Sequence, residues 1–225
     1  LDIFPLLREY GIKPKKSLGQ NFLIESAGLE KVVKAALLNP ETNVLEIGAG
    51  LGSLTWLLAQ EAARVTAVEI DKTFIPILSE LFKDNPKVRI VHGDILKLDP
   101  RTLMPCKQYV VVANIPYYIS SAIMRHLLEA EHKPKAMVLT VQKEVAQRIC
   151  APAGKLSLLA LSVQVFGKPK ISGFIPANSF YPAPEVDSAV LQVELYPHPL
   201  IPLESLDLFF KLAHALTDSY DQLFF

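Results

Sequence analysis

Val44-Leu45-Glu46-Ile47-Gly48-Ala49-Gly50-Leu51-Gly52-Ser53 runs from an aliphatic, strand-forming stretch into three alternating glycines and then into a helix-forming segment. Glycine adopts left-handed φ values without strain and lets the backbone approach a ligand closely. The helix that follows offers unpaired N–H groups in its first turn. The spacing is Gly-x-Gly-x-Gly, which departs from the Gly-x-Gly-x-x-Gly of dinucleotide-binding folds, and Glu46 precedes it. Taken alone, the tract is also compatible with a tight turn that merely joins strand to helix.

Outward from this tract, short apolar, β-branched runs alternate with helix-like segments. Residues 43–47, 64–70, 88–91, 109–113 and 136–141 have the length and content of buried strands. Residues 53–63, 71–83 and 120–131 each open on Ser or Asp as a candidate N-cap and carry apolar residues at helical spacing. The alternation predicts an α/β fold, a parallel sheet covered by helices on both faces. Residues 166–175 and 189–196 read as two further strands with a proline-stiffened loop and no helix between them. They are expected as antiparallel neighbours, with the seven-stranded sheet ending in an antiparallel strand. Pro197, Pro199 and Pro202 mark a linker before an amphipathic segment, 203–216. Residues 1–197 are thus expected to form the main domain and 198–225 the start of a small helical one.

Half of the 225 residues are apolar, enough for a sizeable core, which excludes a disordered or fibrous chain. Twenty-three basic residues balance twenty-three acidic ones, so net charge names no partner. The charge is nevertheless uneven. Residues 125–170 hold eight Lys or Arg against three Glu, a local basic face or an ordinary solvated helical surface, and the stretch after Pro197 is acidic. Cys106 and Cys150 stand far apart, which argues against a zinc site or disulfide framework and fits a reducing cytosol. The longest apolar run, 156–166, contains Ser157, Ser162 and Gln164 and falls short of the roughly 20 residues of a membrane span. No export signal is expected, so the location expected is cytoplasmic.

The glycine tract with its preceding Glu46 resembles that of the S-adenosylmethionine methyltransferases. Other residues agree. Glu69 ends the second predicted strand, where a carboxylate can accept hydrogen bonds from both ribose hydroxyls. Asp94 ends the third, where it can meet an adenine amino group. Ile70 and Ile95 are assigned to the cofactor site beside them. Each acid alone would be a solvated strand end, but successive carboxyl ends of parallel strands are where open sheets bind ligands. The fourth strand leads into Asn114-Ile115-Pro116-Tyr117. An adenine N6 amino group is a weak nucleophile because its lone pair is delocalised into the ring. The Asn114 side-chain oxygen and the Ile115 carbonyl, aimed at its hydrogens, would favour a tetrahedral nitrogen with its lone pair free. Tyr117 can stack on the base. By itself Asn-x-Pro-Tyr could be an ordinary turn.

Five tracts together carry a closer resemblance: Lys16-Ser17-Leu18-Gly19-Gln20-Asn21-Phe22-Leu23, residues 46–52, Gly93-Asp94-Ile95, residues 114–120, and Phe180-Tyr181-Pro182-Ala183-Pro184-Glu185-Val186-Asp187-Ser188. They are similar, in order and over residues 13–196, to the ribosomal RNA adenine N6-dimethyltransferase family. That resemblance implies a Rossmann-like methyltransferase using S-adenosylmethionine and no metal. Gln20, Asn21 and Leu23 would border the cofactor, Gly48 and Gly50 would lie against its methionine part, and Phe180 would hold the target base opposite Tyr117. Residues 16–19 and 116–120 resemble the branch that dimethylates two adjacent adenines near the 3′ end of small-subunit RNA. The other branch modifies large-subunit RNA and confers antibiotic resistance. A monomer acting on small-subunit RNA in a pre-ribosomal particle is the expectation.

Two departures stand out. Family members carry a longer C-terminal helical domain with a basic run, and a few additional residues near Gly154-Lys155-Leu156, ahead of a Leu-Ser-Val-type strand. With Leu1 in place of a starting Met, a fragment, or the ordered part of a longer chain, is expected. Its missing region would be basic. Two rival readings are a non-catalytic ribosome-assembly or RNA-binding factor, which would not need Asn114, Tyr117 and Phe180, and a nicotinamide-dependent oxidoreductase, which the glycine spacing opposes.

Overall fold

The computed structural model describes residues 3–222. In chain order its elements are α1 (Ile3–Glu9), β1 (Phe22–Leu23), α2 (Ser26–Ala35), β2 (Asn43–Ile47), α3 (Ser53–Glu61), β3 (Arg64–Glu69), α4 (Ile75–Phe82), β4 (Val88–His92), α5 (Pro100–Leu103), β5 (Val110–Asn114), α6 (Ser120–Glu129), β6 (Ala136–Gln142), α7 (Lys143–Ile149), α8 (Leu158–Gln164), β7 (Gly167–Ile175), β8 (Phe180–Tyr181), β9 (Ser188–Leu195) and α9 (Leu206–Gln222). Seven strands form one sheet in the order β4-β3-β2-β5-β6-β9-β7. The first five in that order run parallel.

Successive residues of a strand face opposite sides, and here both sides are apolar. Val44, Val65, Val112 and Val138 pack with Leu54, Leu58 and Leu78 of α3 and α4. Leu45, Val111, Met137 and Leu139 pack with Ile123, Met124 and Leu127 of α6. The chain winds outward from β2 through β3 to β4 and then returns to β5 on the other side of β2. That reversal opens a crevice at the carboxyl ends of β2 and β5, the place where open α/β sheets hold ligands.

At the far edge the last two long strands are antiparallel neighbours as expected, but the antiparallel strand is not the one on which the sheet ends. β9 is antiparallel to both neighbours and lies between β6 and β7, so the edge strand β7 runs parallel to β6. Composition explains the order. β9 is fully buried over Ser188–Leu191 and at Val193, whereas β7 carries Lys168, Pro169, Lys170 and an irregularity between Ile171 and Gly173, features that suit an edge.

The N-caps expected at Ser53, Asp71 and Ser120 are also absent. Gly52, at φ 83°, leads into α3, and Ser53 is its first residue. Asp71 instead accepts from the backbone and hydroxyl of Thr73, and α4 starts at Ile75. Ser120 donates its hydroxyl to the Pro116 carbonyl. All three helices are left without a side-chain cap in the first turn. The stretch after Lys155, expected as a Leu-Ser-Val-type strand, is α8, capped by Ser157, whose Oγ accepts from the Ala160 N–H at 3.2 Å. The amphipathic segment at 203–216 becomes a 3-10 turn and α9, and Leu206, Phe209 and Phe210 pack against the α6 side of the core. Of the expected 198–225 segment, residues 223–225 lie outside the described residues, as does Leu1. No described helix is long and apolar enough to cross a membrane.

Candidate active site

The glycine turn is held by its neighbour strand. Gly48 N–H donates to the Val68 carbonyl at 2.8 Å, and Gly50 N–H donates to Glu69 Oε2 at 2.8 Å. Gly48 and Gly50 have φ of 79° and 55°. A Cβ on Gly50 would stand 3.2 Å from the Phe22 ring, so the turn requires glycine on two counts. Beneath the turn, Glu46 is completely buried on β2, and neither carboxyl oxygen has a hydrogen-bond partner among the described residues. Burial pushes its pKa up to about 8, against the influence of neighbouring Thr55. It is therefore protonated at neutral pH.

Glu69, at the end of β3, is buried and accepts from two backbone donors, Gly50 N–H and Asp71 N–H, the latter at 2.7 Å. Burial raises its pKa, with the two N–H groups opposing. A carboxylate has about four lone-pair sites, so each oxygen keeps one for a further donor such as a hydroxyl. Asp71 is also buried, and it ties the N-terminal segment to the sheet. Lys15 Nζ donates to its Oδ1 at 2.8 Å, and Gln20 Nε2 donates to its Oδ2 at 2.9 Å. Burial would raise its pKa, but Lys15, Thr73 and Gln20 outweigh that and bring it to about 2.

Asn114 closes β5 directly across from the turn. Its Nδ2 donates to the Asn21 carbonyl at 3.4 Å. That orientation turns Oδ1 away from Asn21, and Oδ1 makes no hydrogen bond among the described residues. Tyr117 follows in a one-turn 3-10 segment, and Phe180 is buried on β8, which pairs with β1.

Several of these groups line one cavity that opens to solvent. Gln20, Asn21, Leu23, Gly48, Gly50, Glu69, Ile70, Asn114, Ile115, Pro116, Tyr117 and Phe180 all line it. Asp94 and Ile95 do not. Asp94 Oδ1 accepts from the Leu96 N–H at 3.1 Å, and Ile95 is buried in the core on the α6 side. Ile3, Leu18, Phe22 and Phe74 line the cavity without having been singled out in the sequence. The tract of Leu18 and Phe22 was marked only by resemblance, a two-residue strand such as β1 leaves no periodic signal, and Ile3 and Phe74 lie outside every quoted tract. Among the described residues, no three His, Cys, Asp or Glu side chains are grouped to hold a metal ion.

The residues present fit a nucleoside carrying an alkylated sulfur. The uncapped start of α3 and the glycine backbone offer N–H groups that would suit its charged amino-acid end, and Glu69 keeps acceptor capacity for vicinal hydroxyls. Sheet order, strand-end crevice and glycine turn define a Rossmann-like methyltransferase. The family model described as Ribosomal RNA adenine dimethylase matches residues 11–224, and the chain belongs to that family. A curated relative, "Ribosomal RNA small subunit methyltransferase A" of Dehalococcoides mccartyi (strain CBDB1), is 44% identical over 211 residues, 93% of this chain and 72% of the relative. Among solved structures, that of the 23S rRNA methyltransferase ErmE superposes with a TM-score of 0.75 at 29% identity, covering 86% of this chain and 78% of that one. A dimethyladenosine transferase from Plasmodium falciparum gives a TM-score of 0.69 at 31% identity, covering 78% and 63%.

Proposed function

We propose that this enzyme transfers methyl groups to N6 of two adjacent adenines near the 3′ end of small-subunit ribosomal RNA, giving N6,N6-dimethyladenine. S-adenosylmethionine, when bound, supplies an activated methyl group. Gly48, Gly50 and Glu69 hold it with Gln20, Asn21, Leu23 and Ile70 around it. Asn114 Oδ1 and the Ile115 carbonyl accept the two N6 hydrogens at the first transfer and one of them accepts the remaining hydrogen at the second, which frees the nitrogen lone pair to take the methyl group; each time the donor leaves as a thioether and N6 gives up one proton to solvent. Tyr117 and Phe180 grip the base from its two faces. Pro116 fixes the turn between the acceptor and the stacking ring. The protein supplies mainly position and a polar environment, and no covalent enzyme intermediate is required.

The observation that carries this reading is Asn114, whose Oδ1 has no partner among the described residues while its amide is turned by Asn21 beside the glycine turn. The small-subunit name of the Dehalococcoides relative favours that branch over the large-subunit one. A monomer working in the cytoplasm on a pre-ribosomal particle, with residues 198–225 opening a helical substrate domain, completes the proposal. Asn114→Ala tests it. The variant should bind S-adenosylmethionine nearly as wild type does while losing methyl transfer by roughly a hundredfold or more, in the range for removing one preorganised group from a transition state. Transfer at the wild-type rate would refute the mechanism.

A further inference from the structure

We infer that Ser188 is a positioning residue for Tyr117, holding the phenol ring where it stacks on the target base. This rests on the functional reading above. Ser188 Oγ lies 2.6 Å from the Tyr117 hydroxyl oxygen, and either can donate. Ser188 is completely buried, while Tyr117 is half-buried in the cavity wall.

Sheet order explains how a residue 71 positions away reaches the site. Ser188 is the first residue of β9 and pairs with Gln142 at the end of β6 and Ile175 at the end of β7. Because β9 runs against its neighbours, its beginning lies at their carboxyl ends. That is the end of the sheet carrying the glycine turn and Asn114. The inserted antiparallel strand thus delivers a rigid hydroxyl to the reacting end of a sheet whose other strands deliver only their last residues there.

Tyr117 needs such an anchor. It stands in a 3-10 turn of three residues, outside any α-helix or strand that would restrict its rotamers. The ring has two soft torsions, and a hydrogen bond at its far end fixes both. Loss of the partner leaves a partly buried hydroxyl unpaired, and the ring then turns to reach water. A base that stacks on a wandering ring presents its amino group to Asn114 in the wrong place, and small misplacements of reacting groups lower rates steeply. Neither Ser188 nor Tyr117 is among the residues assigned to the cofactor, so the effect is expected on transfer rather than on cofactor binding.

The experiment compares Ser188→Ala, Tyr117→Phe and the double variant, with S-adenosylmethionine and small-subunit RNA as substrates. Each single variant should lower kcat roughly tenfold to a hundredfold. The Kd for S-adenosylmethionine, measured by calorimetry, should stay at the wild-type value. The double variant should be no slower than the worse single one, since both remove the same bond. Losses that multiply in the double variant would show that Ser188 acts apart from Tyr117 and would overturn the inference. Should Ser188→Ala fail to fold, Tyr117→Phe keeps the ring and deletes the bond from the other side, and wild-type kcat there overturns it equally. A wild-type enzyme that transfers no methyl group overturns the functional reading and this inference with it. A working wild type matched by both single variants overturns the anchor alone.

Discussion

Glu69 holds the backbone with the same two oxygens that, in the proposed function, meet the ribose hydroxyls. It accepts from the backbone of Gly50 and Asp71, which fixes the glycine turn against β3, and retains lone pairs that face the cavity. Replacing it with Ala should weaken S-adenosylmethionine binding by about 1.5–3 kcal/mol, the worth of hydrogen bonds to a charged group, read by calorimetry on a variant shown to be folded. Unchanged affinity would remove Glu69 from the site. Glu46 makes a different prediction. Its folded pKa is about 8, against an ordinary value of 4.5, so between those values the folded protein keeps a proton that the unfolded chain has released. Stability therefore falls as pH rises across that window, by on the order of a few kcal/mol. Glu46→Gln cannot ionise and should gain thermal stability over wild type progressively from pH 5 to pH 8. A difference in Tm that stays flat with pH would contradict the buried, protonated carboxyl. Glycines at 48, 50 and 52 and the acids at strand ends were legible in the sequence because their chemistry needs particular residue types. The turning of Asp94 toward the Leu96 backbone was not, since a strand-end acid reads the same whether it faces a ligand or its own loop.

At the scale of elements, the site is bordered by a strap. Residues 18–23 line the cavity, with Gly19 packed against Pro116 and Tyr118, and the strap is held by the ion pair and hydrogen bond from Lys15 and Gln20 to Asp71. Asp71 stays charged down to about pH 2, so the contribution of this latch is complete above the ordinary carboxylate range and disappears only as pH falls toward 2. Asp71→Asn should loosen the strap. Amide hydrogen exchange over residues 15–23 should accelerate and S-adenosylmethionine affinity fall about tenfold, from the loss of a charged hydrogen-bond pair. Exchange equal to wild type would show that the strap is held elsewhere. None of this could be read locally, because Lys15 and Asp71 are 56 residues apart and an exposed lysine ordinarily covers a solvated surface. The same holds for β9. Its strand character was plain from Ala189 to Leu195, but its place inside the edge is a matter of which strand tolerates exposure. The seven-residue helices α7 and α8 were hidden for another reason: Leu158–Gln164 is too short and too apolar to show a helical period.

Across the whole molecule, a charge-balanced chain concentrates its chemistry at one end of the sheet. Fold class, sheet direction and the strand-end site all followed from the alternation of apolar runs and the glycine turn, because parallel α/β sheets admit few other arrangements. The choice of RNA depends on a surface that periodicity does not describe. Incubation of the protein with methyl-labelled S-adenosylmethionine and small-subunit ribosomal RNA, followed by mass spectrometry of the RNA nucleosides, addresses the central claim most directly. Labelled N6,N6-dimethyladenine confined to two adjacent positions near the 3′ end is the result expected, and label appearing only in large-subunit RNA, or on an atom other than adenine N6, would contradict it.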